Sequence, residues 1–404
     1  MSREAISLKK IMVGIILIIL GIPISSAAPI VEQCSILISA EEILYVGGTG
    51  PGNYSTIQSA IDAASSGDIV YVYDDSSPYT ERILIDKHLT LLGENTETTI
   101  LDAQNSGDVV TITGDQVTLQ HFSIQRCGGT WTRSGIKILS DDNCISENIL
   151  INVRNGIFLA QDAYNNTLDG NIIINNGYHG IRLDFTQHNT VTNNRILDNA
   201  GYGMYLWETS DNIITGNTIA RNEGFGIHIG EFCENNLLYH NNIADNVLAN
   251  GQDQSGNSWD NGVEGNYWGD YTGEDANEDG IGDTPYILPG GTSQDTYPLM
   301  APYGDEQPEY TANIHGGVGI NVRIRNTGIV PAETIEWTLD VTGGLLGLIN
   351  KQFTDQIDDL QPGEEILIHS GLIVGLGPIT ISLTLQSEII ATTEGRLLGP
   401  FVFI

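Results

Sequence analysis

"GYHGIRLDFTQHNTVTNNRILDN" (Gly177–Asn199) is followed at once by "AGYGMYLWETSDNIITGNTIARN" (Ala200–Asn222) and then by "EGFGIHIGEFCENNLLYHNNIADN" (Glu223–Asn246). All three follow one plan. A glycine (Gly180, Gly203, Gly226) precedes an apolar-x-apolar pair, and Gly135 and Gly156 head the same plan upstream, at intervals of 21, 24, 23 and 23 residues. The pairs Ile136/Ile138, Ile157/Leu159, Ile181/Leu183, Met204/Leu206 and Ile227/Ile229 alternate with period 2, as a strand with one buried face does. A second column reads Ile145, Leu168, Val191, Ile214, Leu238, and a third Leu150, Ile173, Ile196, Ile219, Ile243. Each repeat therefore supplies three short strands facing one interior. No single repeat can bury its own columns, so the repeats must stack.

Asparagine marks two corners: Asn143, Asn166, Asn189, Asn212, Asn236, and Asn148, Asn171, Asn194, Asn217, Asn241. Asparagine tolerates left-handed turns and hydrogen-bonds backbone, and at the ~4.8 Å strand spacing such residues form ladders. The expected fold class is all-β, a right-handed parallel β-helix with three strands per coil. Upstream, "YSTIQSAIDAASSGD" (Tyr54–Asp68) puts Ile57, Ala60, Ile61 and Ala64 on one helical face, fit to plug the open end of the coil. Less regular coils extend the solenoid to about residues 66–270, on the order of nine coils or ~40 Å. Beyond Pro302 the period is lost. "VGINVRIRN", "IEWTLDV" and "PITISLTLQ" alternate between turns, as in an immunoglobulin-like β-sandwich. The domain division is thus a targeting segment (1–28), a β-helix with its capping helix and a C-terminal acidic loop (45–302), a linker (303–311) and a sandwich (312–404).

The 404-residue chain carries a formal net charge of −35, which argues against nucleic acid as a partner and suits a soluble protein or one that attracts divalent cations. Arg3, Lys9 and Lys10 precede "IMVGIILIILGIPI" and the small residues of "SSAAP". That order is a secretory signal, with cleavage near Ala27 or Ala28; if uncleaved, the run serves as a membrane anchor, although it is shorter than a ~20-residue span. The expected location is therefore exported, secreted or at the cell surface. Cys34, Cys127, Cys144 and Cys233 form no Cys-x-x-Cys and are expected mostly as buried thiols, with room for one bridge.

The repeats, the helix-led start and "GNSWDNGVEGNYWGDYTGEDANEDGIGDTPYIL" followed by "DTYPLM" resemble the NosD-type proteins of the pectin-lyase-like group, abundant among archaeal surface proteins. The resemblance covers residues 45–302; the tail resembles sandwich modules of the same surface proteins. It implies a β-helix that assists copper-site maturation, or one that binds or cleaves sugars. Copper delivery needs clustered soft or imidazole donors. Here four methionines, four cysteines and eight histidines are scattered, with His179 and His188 the nearest pair, so the sequence gathers no copper set.

Asp275, Asn277, Asp279 and Asp283 place oxygens at positions 1, 3, 5 and 9 of an acidic loop, with Gly280 at 6 and the Ile281 carbonyl at 7. That is the first part of a calcium loop; position 12 is Tyr286, so Asp270 or Glu274 must complete it. Polygalacturonase-like residues are present only in part: Asp141-Asp142 and His179-Gly180 occur without a later Arg-x-Lys, while Arg133 and Lys137 lie elsewhere. Arg182 beside Asp184 is the candidate pair for a calcium-assisted lyase, or a surface salt bridge. In the "G-I-x-L-x" strands the residues between the apolar pairs point outward. They read Lys137, Phe158, Arg182, Tyr205 and His228, then Asp184 and Trp207, with Tyr178, Tyr202 and Phe225 near the glycines. Rings and fixed polar groups on a flat face suit sugars. The expected carbohydrate site is Arg182, Asp184, Tyr202, Tyr205, Trp207 and His228, with Glu208 and Glu231 at its rim. The reading is a secreted or cell-surface β-helix protein that recognises or displays carbohydrate at the cell envelope, with catalysis left open. The alternatives are a lyase or hydrolase of acidic glycans, a structural envelope protein and a copper-site accessory.

Overall fold

The computed structural model describes residues 42–290, 293–304 and 307–404; the targeting segment and Cys34 lie outside them. The chain coils into three parallel sheets of nine, eight and eight strands. In one coil Thr167–Asp169 lies in the first sheet, Ile172–Ile174 in the second and Ile181–Asp184 in the third, each paired in register with its counterpart 23 residues on. All three apolar columns face inward and are fully buried, so the core is a set of aliphatic stacks running along the coil axis.

A helix, Ile57–Ala63, closes the first end with Ile57, Ala60 and Ile61 buried. Its ends are satisfied by the next coil: Glu81 accepts from the Ile57 and Gln58 amides (2.8 and 3.0 Å), and Lys87 donates to the carbonyls of Ile61 and Ala64. Those are the charge signs that a helix start and a helix end favour.

Both asparagine ladders form. From the second rung on, each Oδ1 accepts the main-chain and side-chain N–H of the asparagine one coil back, as Asn212 does from Asn189 (2.9 and 3.1 Å), while the first rungs, Asn143 and Asn148, accept from the amides of Val117 and Phe122. A third ladder, Asn176, Asn199, Asn222, Asn246, lines the remaining corner. The left-handed conformation does not fall on the ladder asparagines themselves. It falls on the residue before each: Asn193 (φ 53°), Gly216 (φ 68°) and His240 (φ 57°) precede Asn194, Asn217 and Asn241. The corner thus divides its labour, with one residue turning the chain and the next holding adjacent coils together.

The second end is closed by two fully buried tryptophans, each tied to a buried aspartate. Trp259 Nε1 donates to Asp253 (3.0 Å) and Trp268 Nε1 to Asp295 (2.8 Å), and Trp268 stacks on Tyr286. Burial, only partly offset by N–H donors from Asn266, Trp268 and Tyr297, pushes the Asp295 carboxyl up to about 6. A carboxyl raised in the fold contributes stability at low pH that is lost as pH rises, here from about 4 to about 6. At 1.36 kcal/mol per pKa unit the swing is up to about 3 kcal/mol. Chemical denaturation should therefore find the wild type losing stability relative to Asp295→Asn across that window; a pH-independent difference would contradict the assignment.

Residues from Tyr310 onward form antiparallel sheets of three and six strands that share one core containing Val322, Ile324, Leu339, Val341, Ile381 and Leu383. This sandwich docks on the second sheet of the coil. Asp198 binds both Arg221 and Arg325, Arg195 reaches Glu309, and Ile329 packs on Leu197 and Ala220. Cys127 and Cys233 are free and buried, and Cys144 is disulfide-bonded. Among the described residues no helix is long and apolar enough to cross a membrane.

Candidate functional site

The third sheet aligns Lys137, Phe158, Arg182, Tyr205, His228 and Gln252 in one outward column, and Ala160, Asp184 and Trp207 in the next. The rings form a continuous layer. Tyr205 lies 5.4 Å from His228 with 8° between the planes, 5.1 Å from His179 at 18°, and 6.3 Å from Trp207 at 19°. Tyr202 lies 4.9 Å from His179 and 5.0 Å from His228. Glycine makes room for these stacked rings: a side chain on Gly224 would strike the Tyr202 ring at 2.2 Å, and one on Gly230 would meet Trp207 at 2.9 Å.

Arg182 crosses this layer. Its Nε and Nη2 hold Asp184 (2.9 and 2.5 Å), and its guanidinium lies 4.7 Å from the Phe158 ring, 4.9 Å from Trp131 and 5.7 Å from Tyr205. Both partners are buried, so this is a fixed, desolvated ion pair fenced by rings, with Nη1 not committed to Asp184. Arg154 over Tyr178 and Lys137 over Phe158 add two more cations. Burial, together with Arg182, His228 and Arg154, pulls His179 down to about 3, and burial lowers His228 against the opposing effect of a hydrogen bond that its ring donates to Gln252. Both imidazoles are therefore neutral at physiological pH and act as ring surface. His179 Nδ1 accepts the Tyr202 amide at 3.0 Å.

All six expected sugar-site residues thus share one face, and Glu208 and Glu231 are exposed. The reading missed His179, Trp131 and Arg154. His179 is legible: the residue one before each glycine reads His179, Tyr202, Phe225, so the counterpart of Tyr202 is His179 and not Tyr178. Trp131 sits in a loop outside the period, and nothing in the repeat points to it. The hydrolase-like residues do not converge. Asp141 and Asp142 follow a third-sheet strand, Ser134–Ile138, whereas His179 precedes one, Ile181–Asp184, which puts them at opposite ends of that sheet.

In the acidic loop, Asp275 accepts from the amides of Asp279 and Gly280, Asp279 from Ile281 and from Asn277 Nδ2, and Asp283 from Ala276. Asp270 turns away to Asn250 and Tyr286.

Coil, ladders and end caps define a parallel β-helix protein. The model of the family described as periplasmic copper-binding protein (NosD) matches residues 61–273, more than half of the chain, and the chain belongs to that family. Among solved structures it is similar to pectate lyase Pel9A (15% identity, 57% of this chain and 75% of that one, TM-score 0.46). It is also similar to the periplasmic alginate epimerase AlgG (13% identity, 53% of this chain and 52% of that one, TM-score 0.39). A third is tailspike protein 2 of the Escherichia coli O157:H7 bacteriophage CAB120 (14% identity, 87% and 67%, TM-score 0.40). These likenesses concern the fold. No curated protein matches the chain.

Proposed function

We propose that the chain is an exported β-helix protein whose third-sheet face binds carbohydrate. The observation that carries this is the layer of near-parallel neutral rings, Tyr202, Tyr205, Trp207, His179 and His228, with Arg182 fixed among them. Apolar sugar faces pack on rings, and guanidinium N–H groups read hydroxyls or carboxylates. Three cations over rings, in a chain with 16 basic and 51 acidic residues, favour glycans that carry carboxylates. Export is supported by the periplasmic family description and by the Cys144 disulfide. On a glycan array the wild type is expected to bind a restricted set of acidic glycans, and Trp207→Ala to lose about tenfold or more, the ~1.4 kcal/mol of one ring contact. Equal binding by the mutant, or none by the wild type, would sink the proposal. The same samples incubated with uronate polymers test the lyase or hydrolase alternative through unsaturated or reducing ends.

The family description names copper. The described residues do not gather three histidine, cysteine or carboxylate side chains in a metal-holding group, and no step proposed here runs through copper. Calcium at Asp275, Asn277, Asp279, Ile281 and Asp283 is a separate proposal, supported by the loop's acidic spacing; Asp275, Asp279 and Asp283 accept from loop amides and do not form one metal-holding group among the described residues, so the ion would have to draw them together. Ca²⁺ is expected to raise the melting temperature by mass action, and Asp279→Ala to remove the rise. Calorimetry without heat at millimolar Ca²⁺ would leave an acidic turn.

A further inference from the structure

The outer end of the sandwich carries a surface that the ring face does not use. Three segments meet there: the hairpin tip 343–350, residues 370–379, and residues 397–404. Strand register fixes the meeting. Gly343 pairs with Ile349 and Ile379, Gly375 with Gly399, and Leu398 with Phe401. A side chain on Gly377 would strike the Leu345 backbone at 2.7 Å. None of the three segments contains Asp, Glu, Lys or Arg, in a chain with a net charge of −35.

The apolar side chains there face water. Leu346 is 89% and Leu348 79% exposed, with Leu345 beside them, while Leu376, Leu398 and Phe401 form one exposed row across three neighbouring strands. Leu346 also holds a left-handed backbone (φ 59°), costly for a side chain that finds so little cover inside the chain. A patch of this kind marks a docking surface.

Charge order selects the occupant. The first charged residues inboard of the tip are basic: Lys351, paired with Val341, and Arg396, paired with Pro378 and Phe403. The acids Asp340 and Glu394 come one and two positions farther in. Apolar, then basic, then acidic matches the sequence of a bilayer from acyl chains through phosphates to water. A second copy of the chain offers no such complement, because it brings the same basic collar and the same net charge.

We infer that this end of the sandwich inserts into the surface of a lipid bilayer, with the leucine tip and Phe401 at the acyl boundary and Lys351 and Arg396 at the phosphates. The test uses the full chain carrying Leu346→Cys, labelled with a polarity-sensitive fluorophore. Cys127 and Cys233 are buried, and wild type put through the same labelling gives the background. On phosphatidylcholine vesicles the emission is expected to rise several-fold and shift blue, to be quenched by quenchers placed in the acyl region, and to lose the rise when Leu348→Asp and Phe401→Asp are added. Three results overturn the inference: no co-sedimentation with vesicles; co-sedimentation with a water-like label, which assigns attachment to the N-terminal segment; or a rise with protein concentration in the absence of lipid, which assigns the tip to self-association.

Discussion

Asp253→Ala is expected to open the second end of the coil. The carboxylate is fully buried and accepts from the amides of Ser255, Gly256 and Asn257, from Asn257 Nδ2, from Trp259 Nε1 and from Ser293 Oγ, at 2.8 to 3.1 Å. Alanine leaves these donors facing a void. At ~1–3 kcal/mol for each donor left unsatisfied, two of them already cost about 4 kcal/mol. In a stacked coil the loss is local. Hydrogen exchange should quicken across residues 250–299 while coils before residue 220 keep their protection, and uniform exchange in the mutant would contradict this. The pH sign is opposite to that of Asp295. Burial raises the Asp253 carboxyl, but donors from Asn257, Trp259, Ser255 and Ser293 outweigh it and hold the group below the usual range. Its contribution is therefore present above the unfolded pKa and lost as pH falls through the folded one. Acid should loosen the cap through Asp253 even as it relieves Asp295.

Asn217→Leu should be nearly as costly in the middle of the coil. Asn217 Oδ1 accepts from Asn194 N and Nδ2 (2.9 and 3.0 Å), and its Nδ2 donates to Val191 O, Thr215 O and Asn241 Oδ1 (2.8, 3.1 and 2.9 Å). Leucine fits the volume and satisfies none of these. The Asn194 amide and the Val191 carbonyl stay buried, so about 2–6 kcal/mol is lost. Asn217→Asp keeps the acceptor, loses the donors, and should recover part of the loss on acidification as its carboxyl protonates. An unchanged melting temperature for the leucine variant would mean that the ladder does not hold the coils together.

The inward columns were legible because burial on one face of a strand leaves a period-2 record that stacking repeats every 23 residues. Two ladders were legible for the same reason, and the third carries the same 23-residue interval in Asn176, Asn199 and Asn222. The left-handed corner residue was not legible, since Asn193, Gly216 and His240 share a backbone conformation and not a side chain. The second cap resisted reading because its bonds leap: Ser293 to Asp253 spans 40 residues and Trp268 to Asp295 spans 27, with no period to align them. On the ring face, outward alternation identified Arg182, Tyr205 and His228. It could not say that Arg182 turns back on Asp184, or that Trp131 arrives from a loop. The apolar tip lies in "GGLLGLIN" and "GLIVGLGP", which carry no alternation for a strand pattern to pick out.

The central claim, that the third-sheet face is the carbohydrate site, is tested most directly by hydroxyl-radical footprinting of the wild type with and without a glycan that it binds on the array. Oxidation is expected to fall at Tyr202, Tyr205 and Trp207 and to stay unchanged at Phe401, which is exposed on the sandwich. A bound glycan that leaves those three rings as reactive as before, or that shields other residues instead, would contradict the claim.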